Sequence, residues 1–155
     1  MGKLPGPGTV LHGFTVLSKN NIECFSASTT ELFHETSRAT VLCMENEDPE
    51  LGFSIIYRTP QLDETDACHM AEHLVLSSCR KYRSRDIFFD MDSKSYSTFM
   101  NGITDTCCTC YPFCSVSQKQ LIKLIDVALC CMEEPEALTC LLYTSDAADD
   151  LTRVD

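Results

Sequence analysis

His69, Glu72 and His73 are the side chains of this 155-residue chain whose types and spacing could do chemistry. With Met70 and Ala71 between them they read H-x-x-E-H. On a helix, residues four apart stand one above the other, about one turn along the axis. Two imidazoles placed that way can share one divalent ion, and Zn²⁺ takes imidazole nitrogen at about 2.0–2.1 Å in tetrahedral geometry. A carboxylate beside the second imidazole borders the remaining coordination positions. It can take a proton from a polarised water and pass it to a leaving amine. Zinc lowers the pKa of such a water toward about 7. The competing reading is a solvated helix face. Against it, two of the chain's four histidines fall within five residues around one glutamate.

The surrounding pattern supplies the helix. Over residues 66–78 the apolar period is helical: Ala67, Met70, Ala71, Leu74 and Val75 share one side, and His69, Glu72 and His73 lie within about 100° of arc opposite. Thr65 or Asp63 is the expected N-cap. A second short helix is expected over 86–91. A longer amphipathic one spans 118–132, with Leu121, Leu124, Ile125, Ala128, Leu129 and Met132 on one face, Ser117 as N-cap and Pro135 beyond its end. Strand patterns run from Gly13, over 23–33, 39–44 and 52–58, then 97–103 and 107–113. Sequential strands joined by turns favour antiparallel pairing. The expected class is α+β, an antiparallel or mixed sheet with helices on one face.

Composition narrows the function. Twelve basic residues against 23 acidic ones give a net charge of −11. No basic stripe offsets that charge, so a nucleic-acid backbone binder is disfavoured. No apolar run reaches the roughly 18 residues of a membrane span. The Gly/Pro-rich start, Met1 to Gly8, has neither an apolar signal core nor an Arg-rich transit pattern, and it makes a poor myristoylation site. A cytoplasmic location follows, or the mitochondrial matrix if a transit segment lies upstream.

Eleven cysteines stand out. Their odd number, the adjacent pairs Cys107-Cys108 and Cys130-Cys131, and the missing signal argue for reduced, small, buried residues over a disulfide framework. Cys107, Cys110 and Cys114 form a weak alternative metal site, without a second C-x-x-C or a His pair nearby. Cys68 adjoins His69, but neighbours on a helix point about 100° apart and do not pair. His12 and His34-Glu35 read as turn or loop residues. The basic run 80–85 reads as a solvated loop, and the acidic run 45–50 as a solvated turn.

Residues 140–150, Cys-Leu-Leu-Tyr-Thr-Ser-Asp-Ala-Ala-Asp-Asp, match the in-frame translation of a transposase-type sequencing adapter. Residues 140–155 are therefore set aside as an artefactual tail, and the natural protein is expected to continue past residue 139. A natural acidic, disordered tail is the other reading.

A longer pattern surrounds the triplet. Tyr57-Arg58-Thr59-Pro60, His69 to His73, Leu76, Arg80-Lys81-Tyr82, Asp86, Thr98-Phe99-Met100-Asn101, Thr104, Tyr111-Pro112 and Leu124-Ile125-Asp126-Val127 stand in an order and spacing that closely resemble the start of the pitrilysin/insulinase-like inverzincin peptidases (M16). The branch it resembles is the presequence-protease-like one, over about His12 to Pro135. The resemblance implies the N-terminal part of a zinc endopeptidase domain in residues 1–139. His69 and His73 would be zinc ligands and Glu72 the general base. A third ligand, a Glu on a later helix, would lie beyond residue 139; Glu133, Glu134 and Glu136 are too near in sequence. Family members bind unfolded peptides as an added strand at a sheet edge, which makes Asn101 the candidate substrate contact. Two halves of a much longer polypeptide close around the substrate, so the rest of that polypeptide is the implied partner, and this stretch alone would be inactive.

The chain departs from the family at Asp66, where a Gly is usual. It departs also at Ser78-Cys79, in place of Gly-Ser, and at Arg83, in place of Pro. An aspartate three residues before His69 either accepts its second ring proton or disturbs the helix start. Two rival readings remain: a non-catalytic peptide-binding or assembly module of the same fold, and an unrelated cysteine-rich metal-binding protein.

Overall fold

In the computed structural model, residues 4–61, 65–82, 84, 86–133 and 135 are described. The proposed tail, 140–155, lies outside them, as do Asp63, Arg83, Glu134 and Glu136. The chain gathers into two compact units that divide between Pro49 and Glu50, inside the acidic turn.

The first unit is an antiparallel sheet in chain order: β1 (Val10–Leu11), β2 (Phe14–Ile22), β3 (Ala27–His34) and β4 (Thr40–Glu45). His12 and Gly13 both have positive φ, 48° and 86°. Two consecutive left-handed residues make the tight hairpin turn whose twist suits the flanking strands. His12 is thus a turn residue, as its sequence context indicates. His34, expected in a loop, is instead the last residue of β3, paired with Phe14, and its Nδ1 lies 2.7 Å from Ser37 Oγ. The strand expected from residue 23 starts later. Glu23–Phe25 form a single 3₁₀ turn, and Ser26 at φ 46° ends it before pairing resumes at Ala27. Val16, Ala27 and Leu32 are buried in this unit.

The second unit holds β5 (Leu51–Arg58), α1 (Ala67–Val75), α2 (Ile87–Lys94), β6 (Ser97–Met100), β7 (Ile103–Thr104), β8 (Cys108–Ser115) and α3 (Gln118–Glu133). The central strand β8 pairs antiparallel with β5 on one side and with β6 and β7 on the other. Its burial alternates. Thr109, Tyr111, Phe113 and Ser115 are buried, while Cys108, Cys110, Pro112 and Cys114 are half-exposed. The buried side chains meet Leu121, Leu124, Ala128 and Cys131 of α3, together with Leu76, Ile87 and Met91. Helices therefore cover one face of this sheet, as an α+β layer requires.

Ser117 caps α3, its hydroxyl accepting the Gln120 N–H at 3.4 Å. Asp86 caps α2, accepting from the Phe89 N–H at 3.1 Å. Lys81 and Tyr82 are not simply solvated. Both donate to Asp126 of α3, at 2.9 and 2.5 Å, and tie the loop after α1 to the core helix. The cysteines divide by place. Cys79 and Cys131 are fully buried, but Cys24 and Cys107 are exposed, so burial does not account for the whole set.

The strand expected over 97–103 is broken in two. Met100 pairs with Phe113 and Ile103 with Cys110, so the register runs straight through the gap. The Asn101 N–H still donates to the Pro112 carbonyl, at 3.2 Å. Proline has no N–H to return to Asn101, so the ladder loses a rung there.

The core argument is testable by truncation. Leu124 is 2% exposed against β8, and Ile122, two residues earlier on the same helix, is 57% exposed. Leu124→Ala should cost about 2–5 kcal/mol in a urea melt followed by circular dichroism. Ile122→Ala should change stability by no more than about 0.5 kcal/mol.

Candidate functional site

α1 forms where the helical period predicts it, and its outward face carries both histidines. His69 Nε2 and His73 Nε2 lie 3.1 Å apart, with ring centroids 4.7 Å apart. Two nitrogens about 2.0–2.1 Å from one tetrahedral Zn²⁺ stand about 3.3–3.4 Å from each other. The pair is already within a few tenths of an ångström of that span. As a donor set, two exposed imidazoles at this separation fit a borderline-soft divalent ion.

Asp66, not Thr65, is the N-cap residue of the helix, and its side chain caps no backbone N–H. It accepts instead from the ring of His69, Oδ2 to Nδ1 at 2.9 Å. Of the two readings of this aspartate, proton acceptor or helix disturber, the structure has the first. The same hydrogen bond, with the carboxylate charge behind it, holds the His69 pKa above the usual imidazole range.

Glu72 does not share the exposed face with the histidines as expected: it turns inward, and Met70, expected on the core side, is 58% exposed. Glu72 is 8% exposed and rests on the β6–β7 break. Thr104 Oγ1 donates to its Oε2 at 2.6 Å. Gly102 lies directly beneath it: a Cβ on that residue would stand 2.7 Å from Glu72 Cδ. Only glycine leaves the carboxylate its place. A cleft of about 400 Å³ opens beside it, between α1, β5, β8 and the end of α3, lined by Tyr57, Ala71, Val75, Tyr111 and Met132 among others. Burial, then the charge of Glu72, pushes the Tyr111 hydroxyl up to about 12, so it stays protonated at neutral pH.

Asn101 is exposed at the break, its Oδ1 accepting the Gly102 N–H at 3.0 Å. It lies one residue from the Glu72 contact, whereas the histidines face away on the helix. The triplet is thus one helical turn with two outlets, imidazoles outward and carboxylate inward. Gly102 and Thr104 were missed as site residues. An isolated glycine inside a strand pattern is the signal that marks such a close approach.

Among the described residues no group of three or more His, Cys, Asp and Glu side chains gathers into a metal-holding cluster, neither at the cysteines nor at the H-x-x-E-H helix. Cys110 Sγ lies 3.0 Å from Ser54 Oγ, and Cys68 Sγ contacts the Thr59 carbonyl, not His69.

No family model matches the chain. Curated relatives do. The mitochondrial presequence protease of Eremothecium gossypii is 39% identical over 122 residues, which is 79% of this chain and 12% of the relative. The Xenopus tropicalis protein of the same name is 38% identical over 123 residues, again 79% of this chain and 12% of the relative. The Mus musculus protein is 37% identical over 122 residues, with the same two shares. Over this stretch the chain is thus presequence-protease-like, and it spans about 12% of the length of the relatives it matches.

Removing the hydroxyl that serves the buried carboxylate should be costly. Thr104→Val is expected to destabilise the chain by about 1–3 kcal/mol. Thr104→Ser should recover most of it, as read from the urea midpoint at constant m.

Proposed function

We propose that this chain carries part of the active site of a zinc-dependent endopeptidase that hydrolyses unfolded peptides. The observation that carries the reading is the 3.1 Å approach of His69 and His73 Nε2 on the exposed face of the helix that also bears Glu72. His69 and His73 would hold the ion. Bound zinc supplies Lewis acidity and makes water a competent nucleophile near neutral pH.

Glu72 is the general base. It receives a proton from the attacking water and gives it to the departing amine, so one carboxylate serves both halves of the reaction. To do so it must turn from Thr104 toward the imidazole side. A hydroxyl is a partner that a flexible glutamate can leave and regain.

The peptide lies extended along β6, whose outer edge pairs with no strand among the described residues. Main-chain bonds give affinity there, as in strand addition generally. Asn101 is the substrate contact at the end of that edge. A third ligand, a glutamate on a later helix, lies outside residues 1–139. The remainder of the same polypeptide is therefore the partner that completes the site, and the 155-residue chain does not catalyse alone. The relatives' names carry the word mitochondrial, and we assign the same compartment to the parent protein. Among the described residues no helix is long and apolar enough to cross a membrane.

A zinc titration tests this. The chain should take up one zinc weakly and exchangeably, as expected of two protein ligands. His69→Ala and His73→Ala should each abolish uptake, while alkylation of the thiols leaves it intact. Uptake that follows the thiols and ignores the histidines would sink the proposal. In the longer natural protein, Glu72→Gln should keep zinc and lose about 10²–10⁴-fold in peptide hydrolysis.

A further inference from the structure

Asp66 occupies the N-cap position of α1, where an aspartate ordinarily accepts a first-turn N–H. It makes no such bond. Forgoing a cap destabilises a helix, so the side chain's actual contact, His69 Nδ1 at 2.9 Å, carries the interest. A neutral imidazole that gives its Nδ1 proton to a carboxylate presents a lone pair at Nε2. That Nε2 is the atom facing His73 at 3.1 Å. The hydrogen bond also fixes the ring about its χ2 axis, which an exposed histidine otherwise samples broadly.

We infer that Asp66 is a positioning residue of the metal site: it selects the Nδ1–H tautomer of His69, aims Nε2 at the shared coordination point, and raises the affinity of the pair for zinc. The inference rests on the reading of His69 and His73 as zinc ligands. It adds a carboxylate–imidazole–metal relay at a position where the resembled family has glycine. Carboxylates that orient metal-bound histidines in this way typically set metal affinity by about 10–100-fold.

Two measurements on the whole chain separate this role from a structural one. In the first, long-range ¹⁵N spectra of labelled histidine report the tautomer of His69 without metal. The wild type should show Nδ1–H. Asp66→Ala should move it to Nε2–H, the form an unconstrained histidine side chain prefers. Asp66→Asn, which keeps an acceptor oxygen, should retain Nδ1–H. In the second, zinc titration should show about a 10-fold or larger loss of affinity for Asp66→Ala and a smaller loss for Asp66→Asn. Helix content should stay constant, because the side chain caps nothing. An unchanged tautomer in Asp66→Ala, or zinc affinity within about 2-fold of wild type, overturns the inference. A wild type that takes up no zinc, while its tautomer still answers to Asp66, overturns the ligand reading itself and the metal part of the inference with it.

Discussion

A carboxylate enclosed between a helix and a sheet is expensive, because removing its water costs several kcal/mol unless donors replace it. Glu72 is in that situation, 8% exposed on the inner side of α1. The fold answers with Thr104 as a donor and with the missing side chain of Gly102 as space. Both come from the short stretch where the second sheet's edge strand is interrupted. The docking of α1 is therefore set by one polar contact as much as by its apolar face. Once Glu72 is seated there, the helical period turns His69 and His73 to the outside. A helix rotated by one residue would bury an imidazole and expose the carboxylate.

The interruption itself has a non-local cause. Pro112 lies in the centre of β8, where a proline cannot return a ladder bond. Its partner across the strand is Asn101, which keeps its own N–H bond to the Pro112 carbonyl and receives none back. The register continues on either side. So the rung lost to proline coincides with the place where glycine lets Glu72 approach. A sheet that needed a gap for a helix carboxylate has it where its own hydrogen bonding is weakest.

These relations explain what could be read from the order of residues. The presence of the H-x-x-E-H helix was legible because its period is local, and so was α3 with its Ser117 cap; the face α1 buries was not, since Glu72 is inside and Met70 outside. Nor was the cap of α1. Thr65 or Asp63 follows from propensity, and propensity cannot know that Asp66 has a ring to bond three residues on. Thr104 could not be found as Glu72's partner because 32 residues separate them. The single strand expected over 97–103 failed for the same reason, since the residue that breaks it sits on another strand. Lys81 and Tyr82 looked solvated because Asp126, their acceptor, is more than 40 residues away.

The contrast between the two candidate metal sites is one of period. Cys110 and Cys114 share a face of β8, but residues four apart on a strand stand about 13 Å from each other. Sulfurs that bind one zinc at about 2.3 Å sit less than about 4 Å from each other. Cys107 and Cys110, three apart, would fall on opposite faces of an extended strand. Cysteine is the better zinc ligand by chemistry, yet the strand spreads it out. The helix brings two weaker ligands to 3.1 Å. On the proposed reading, what the helix lacks is a third ligand, and its exposed imidazole face is the side from which one must come. On that reading a pair that is weak alone would become strong only when a further ligand arrived, so zinc would stabilise the assembled site and not its parts.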